Sequence, residues 1–241
     1  MLLVLASRHD PHAVDLVRHW RQANARLLTC DDFSRSGWEF HPGEPERSRF
    51  AVGGRSVSAR QVRGVLVRLP VVTVGELPRI EPEDREYVAA ELMAFLVALL
   101  RELSCPVINR PSPLLLTGPA WGRDHWHCEA RRLEIPGPEV QRELEMNRSE
   151  VGSLPGKRIT DAVTVVGEDC FGSRCALARE FALRLARRAG VTLLRVAFGR
   201  HGGQPQFLNA ELIPGLESPA VKRAVYRHLT ESRPATARPQ R

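Results

Sequence analysis

Lysine is nearly absent from this chain: of its 35 Lys and Arg residues, only Lys157 and Lys222 are lysines. The formal net charge of +7 is therefore carried by arginine. Aromatic residues are also scarce, at 6% of the sequence, and the arginines are spread along the chain rather than gathered beside them. A nucleic-acid-binding surface needs cations clustered with stacking partners, so no nucleic-acid partner is expected. The Arg, Ala, Leu and Pro bias instead matches a GC-rich coding sequence. The densest basic runs, Arg184 to Arg188 and Arg131-Arg132, suit the last turns of helices, where cations complement the dipole. The five cysteines (Cys30, Cys105, Cys128, Cys170, Cys175) are odd in number and show no CxxC pairing. A disulfide framework or zinc knuckle is therefore not expected, and a reducing cytoplasmic setting fits. No apolar run approaches the roughly 20 residues of a membrane span. Met1 to Ala6 lacks a basic flank and is too short for a signal sequence, which leaves a first strand. G-x-S-x-G, P-loop and GxGxxG motifs are all missing, and with them the common hydrolase, NTPase and Rossmann readings.

What is present is an alternation of strands and helices, with a 43% hydrophobic content sufficient for a core. Leu2 to Ala6 reads as a buried strand, and Asp10 caps a helix with Pro11 at its first position. That helix is expected to reach about Ala25, with a second strand over Arg26 to Cys30, a βαβ opening that implies parallel pairing. Gly53-Gly54 marks a hairpin, and Val65 to Pro70 a further strand. A long helix follows from Pro82 to about Leu103, with an apolar face through Val88, Leu92, Phe95, Leu96, Leu99 and Leu103. Pro106 to Asn109 is a short strand, and a helix is expected from about Gly118 to Leu133. Ala162 to Gly167 reads as a strand, Ser173 to Ala189 as a helix capped by Gly190, and Glu217 to Glu231 as the last helix.

The stretch from Gly190 to Gly215 is the most informative. Two apolar strands meet at Gly202-Gly203, a strong hairpin signal. Asn209 and Glu211 stand two apart on the second strand and so share a face, the arrangement that holds a hard cation over a phosphate. This segment resembles the closing hairpin of ATP-grasp ligases, and the first 135 residues resemble the domain preceding the nucleotide-binding part of the graspetide (peptide omega-ester and omega-amide) ligases. The landmarks are the strand ending near Ser7 and Asp10, the strand closing on Arg68-Leu-Pro, the Asp84–Glu91 helix start, Pro106-Val-Ile-Asn109-Arg-Pro111, and Leu133-Glu-Ile-Pro136. The resemblance implies ATP and Mg²⁺ as cofactors and a peptide or small-molecule substrate. This chain departs from the pattern in three ways. Asn209 and Glu211 are inverted relative to the family's Glu and Asn, and Arg195 stands where the first strand offers Asp. Only about 20 residues occupy the place of a nucleotide-binding lobe, with Lys157 as their one lysine.

These observations define the expectations. The fold class is α/β: an N-terminal parallel-sheet, pre-ATP-grasp-like domain over residues 1–136 and a truncated ATP-grasp-like lobe over 161–231. Residues 137–160 are read as a linker replacing the missing lobe, and 232–241 as a disordered tail. Glu211 and Asn209 form a remnant cation site, or a surface pair left from an ancestral ligase. Arg68 and Asn109, at the ends of adjacent strands, together with Arg195, are candidate substrate contacts; the other reading makes Asn109 a turn residue and Arg68 a solvated one. His125 and Glu129 share a helix face and form the candidate acid–base pair, against a solvated face with Trp126 packed inward. The function expected is that of a degenerate ATP-grasp-like protein that has lost ATP-dependent ligation and binds or transforms a peptide or small metabolite in a biosynthetic pathway. The alternative is an active carboxylate–amine or carboxylate–alcohol ligase with a minimised nucleotide site. No membrane partner is expected, and a homo-oligomer is compatible with the sequence.

Overall fold

The computed structural model describes residues 1–138 and 158–231; the central part of the expected linker and the expected tail lie outside them. The chain opens with β1 (Leu2–Leu5), buried along its whole length. The Asp10 carboxylate then accepts from the N–H groups of His12 and Ala13 and starts α1 (Pro11–His19). The helix stops six residues short of the expected Ala25. A tight turn at Arg21–Ala23 and Asn24, in the left-handed region at φ 55°, redirect the chain into β2 (Ala25–Leu28). Thr29 and Asp32 form a capping box for the single turn α2 (Cys30–Phe33). β3 (Arg49–Val52) and β4 (Arg55–Ser58) make the expected hairpin, with Gly53 and Gly54 at φ 56° and 76°, the positive values that a two-residue turn requires.

β5 (Gly64–Val67), α3 (Arg85–Glu102) and β6 (Val107–Ile108) complete a parallel sheet of order β2-β1-β5-β6. Leu3, Leu5, Val65 and Val67 point to one face and pack on Leu92, Leu96 and Leu99 of α3. Leu2, Val4 and Leu66 point to the other, where Leu16 of α1 waits. The two faces follow directly from the period-2 alternation of strands.

α4 (Arg123–Arg132) begins five residues later than expected. Gly118, at φ 130°, and the following Pro119 hold the chain irregular until Gly122 caps the helix. A second, antiparallel sheet of order β10-β9-β7-β8 follows, built from β7 (Asp161–Val166), β8 (Asp169–Gly172), β9 (Leu193–His201) and β10 (Gln204–Glu211). α5 (Ala176–Ala189), ended by Gly190 at φ 65° as the sequence indicated, covers one face through Phe181, Ala182 and Leu185. β8 was not foreseen; a Gly167 turn at φ 62° returns the chain for four residues.

The β9–β10 hairpin turns at Gly202-Gly203 as expected, both glycines at positive φ. Its register slips between Phe207 and Asn209, so Leu208 forms a bulge. Phe207 faces Phe198 in the α5 core, whereas Asn209, two residues on, pairs with Ala197 on the opposite face. Finally, α6 (Pro219–Glu231) runs back across the first sheet, and Val225 and Leu229 join Leu2, Val4 and Leu66 in one core. Val166 and Leu193 of the second sheet belong to that same core. No helix among the described residues is long and apolar enough to cross a membrane.

Candidate functional site

In an open parallel sheet, ligands collect beyond the carboxyl ends of the strands. Arg68 follows β5 there and Asn109 follows β6. Both side chains turn out to be buried, Arg68 at 6% and Asn109 at 2% exposure. Arg68 Nε lies 2.7 Å from Asp10 Oδ2, and its Nη1 donates to the Pro214 carbonyl at 2.9 Å. Burial alone would raise the Asp10 carboxyl, but the hydrogen bond and charge of Arg68, with the Ala13 and His12 amides, hold it below the ordinary value. Asn109 Nδ2 donates to Leu193 O at 2.9 Å, while its Oδ1 accepts from Thr192 N at 2.9 Å and Leu193 N at 2.8 Å. Three of its hydrogen-bonding positions are thus engaged by one short stretch entering β9. These two residues clasp the first sheet to the second at the strand ends.

The second sheet has α5 on one face; on the other, Val166 and Leu193 join the first-sheet core at one end, and Thr164, Arg195, Asn209 and Glu211 lie beyond them. Ladder pairing brings Thr164, Arg195 and Glu211 into one row, and Ala162, Ala197 and Asn209 into the next. Arg195 Nη1 lies 3.1 Å from both Glu211 carboxylate oxygens. Asn209 is exposed beside them. A carboxylate held by a guanidinium already has its counter-charge, and a divalent cation would have to displace it. Among the described residues no group of three or more His, Cys, Asp or Glu side chains is placed to hold a metal ion. Lys222, the one lysine among the described residues, pairs with Asp15 at 2.5 Å. Among the described residues the donor set on this face is one neutralised carboxylate, one amide and one hydroxyl, which is poor in the cations and free carboxylates that a magnesium triphosphate requires.

The third group lies on α4. His125 Nε2 is 3.7 Å from Glu129 Oε1, so the spacing does place the two together. Glu129, however, is 2% exposed and also held by Arg188 Nε and Arg132 Nη1, each at 2.5 Å. The Arg188 hydrogen bond leads the effects that keep its carboxyl below the usual range, against the opposing effect of burial. His125 stacks on Trp121 at 4.7 Å with 9° between planes. Trp126 packs inward, as the alternative reading had it. His127, on another face of α4, meets the Phe207 ring edge-on at 5.0 Å; burial, then the Arg123 charge, lower its pKa. α4 is thus a brace between α5 and β10. Arg68, Asn109, Arg195 and the α4 pair do not converge as one constellation of mutual contacts. Sequence reasoning missed Asp10 as the partner of Arg68. The signal was available, since both close adjacent parallel strands.

No family model and no curated protein matches the sequence. Solved structures do. The macrocyclase MdnC bound with precursor peptide MdnA from Microcystis aeruginosa MRC superposes with a TM-score of 0.67, at 13% identity, over 95% of this chain and 99% of that one. The chain has an ATP-grasp-like fold. The ATP-grasp ligase PsnB, complexed with minimal precursor, Mg and ADP, superposes with a TM-score of 0.68 at 11% identity, over 96% of this chain and 98% of that chain. A Chryseobacterium gregarium RiPP-associated ATP-grasp ligase in complex with ADP, a leader and a core peptide gives 0.65 at 10%, over 95% and 96%. At these identities the likeness is one of fold, and the ATP-grasp frame says nothing by itself about which chemistry this chain retains.

Proposed function

We propose that this chain is an ATP-grasp-derived protein that no longer performs ATP-dependent ligation and holds a peptide or small metabolite in a biosynthetic pathway. The carrying observation is the Arg195–Glu211 pair, which puts a guanidinium against the carboxylate that a cation would need. The engagement of Lys222 by Asp15 supports the same reading. A peptide is the favoured ligand class because the neighbour MdnC is bound with precursor peptide MdnA and the neighbour PsnB with precursor peptide PsnA2. On this reading Arg195 and Thr164, with Asn209 in the next row, form the polar patch that meets the ligand. Arg68 and Asn109 are positioning residues that hold the strand ends in place behind it. Glu129 and its arginines serve α4 rather than proton transfer.

The test is thermal unfolding with and without millimolar MgATP. A working site saturated about 100-fold over its Kd would add about 2.7 kcal/mol, a rise of roughly 5–10 °C for a chain of this size. The expected result is no rise. A rise of that size, lost in Glu211→Ala, would overturn the proposal in favour of a ligase with a minimised nucleotide site.

A further inference from the structure

β2 is the end strand of the parallel sheet, and its outer edge opens into a cavity of about 640 Å³. Leu28 turns its carbonyl toward β1, where it accepts from Ala6 N at 3.1 Å. Main-chain groups alternate sides along a strand, so the N–H and C=O of Leu27 point away from β1 into that cavity. The facing wall is the β3–β4 hairpin, a separate two-stranded sheet. Its tip is pinned by a hydrogen bond from Gly53 N to Asp32 Oδ1 at 3.0 Å. Arg26 on β2 and Arg55 on β4 line the opening, together with Asn24, Ser56 and Gln61. Both arginines are exposed, and neither has a hydrogen-bond or ion-pair partner among the described residues. No Asp or Glu lines the cavity; Leu27, Val52 and Val57 supply its apolar floor.

An open strand edge, an apolar floor and two unpaired guanidiniums are the parts of a β-augmentation site for an acidic segment. Main-chain bonds would supply affinity and the guanidiniums the preference for carboxylates. We infer that the groove between β2 and the β3–β4 hairpin binds an extended acidic peptide segment, which pairs with Leu27 and places carboxylates on Arg26 and Arg55. This surface is distinct from the open face that carries Arg195, and the inference goes beyond the function proposed above.

The probe is a fluorescein-labelled hexapeptide of alternating Val and Glu, followed by anisotropy against the whole chain. It should bind at least tenfold more tightly than its Val–Gln counterpart, and weaken as salt rises. The charge reversal R26E/R55E should lose at least tenfold, with its circular dichroism unchanged. N-methylation of the peptide's pairing amides should also lose binding, and the Leu27 amide should gain protection from hydrogen exchange in the complex. Equal binding of the Glu and Gln peptides, or of native chain and R26E/R55E, overturns the inference. So does full competition by inorganic phosphate at the peptide's own concentration, which marks a simple anion site, or self-association through β2 that displaces the peptide. A positive MgATP result would leave each of these outcomes untouched, so the two proposals fail separately.

Discussion

Arg195 and Glu211 face each other across the β9–β10 ladder, one guanidinium nitrogen 3.1 Å from both carboxylate oxygens. Their side chains are 33% and 41% exposed, so solvent screens the attraction. On the function proposed above, the pair matters for what it prevents more than for what it stabilises. A double-mutant cycle with Arg195→Ala and Glu211→Ala, read by urea unfolding, should give a coupling of about 0.2–1 kcal/mol. A coupling several times larger would mean that the pair is a structural keystone and not a blocked cation site.

Asn109 carries the opposite weight. Asn109→Ala leaves the Thr192 and Leu193 amides and the Leu193 carbonyl without their side-chain partner in a buried junction. The expected cost is about 2–4 kcal/mol, since each orphaned buried group costs on the order of 1–3. Urea unfolding measures it, and a loss under about 0.5 kcal/mol would show that water enters and replaces the clasp.

Asp10 predicts an acid dependence. Its carboxyl is held below the ordinary value in the folded chain, so the unfolded chain takes up its proton first as pH falls. The Asp10 contribution is therefore intact above about pH 4 and lost as pH drops through the folded value. Asp10→Asn retains a side chain able to cap α1 but leaves Arg68 without its charge partner. It should lower stability at pH 7 by about 3 kcal/mol and flatten the fall between pH 4 and pH 2.5. Urea midpoints across that range check both; a variant as steep as the native chain would place the titrating group elsewhere.

Gly64 lets α6 approach the first sheet closely. A Cβ there would lie 2.6 Å from the Leu229 carbonyl oxygen and 2.9 Å from the Leu229 Cβ. Since main chain cannot step aside as a side chain end would, Gly64→Ala should cost about 1–3 kcal/mol. Partial proteolysis should cut near α6 earlier than in the native chain. Unchanged proteolysis would mean that α6 moves as a unit without loss.

The punctuation of this fold was legible from local chemistry. Asp10-Pro11, Gly53-Gly54, Gly190 and Gly202-Gly203 each demand one backbone geometry, and each adopts it. The end of α1 and the start of α4 were not, because Asn24 and the Gly118-Pro119 stretch interrupt amphipathic runs that continue past them. β8 was invisible for a different reason: four residues after a glycine turn carry too short an alternation to register. Among site residues, the Arg195–Glu211 pairing was not legible either: a regular ladder from the Gly202-Gly203 turn sets Glu211 opposite Leu194, and the Leu208 bulge moves it to Arg195. The Arg68–Asp10 pair joins residues 58 apart, and only the order of strands in the sheet brings them together.

The Leu208 bulge gives the polar face an arithmetic basis. Phe207 is buried against Phe198, and regular alternation would send Asn209 and Glu211 to that same side. The one additional residue reverses the parity of everything after it. Were the bulge drawn into a regular ladder with Leu208 kept, Asn209 would fall opposite Val196 and Glu211 opposite Leu194, within the α5 core. This polar face owes its chemistry to a count of residues as much as to their kinds: with Leu208 in the strand, the bulge is what keeps Asn209 and Glu211 out of the α5 core.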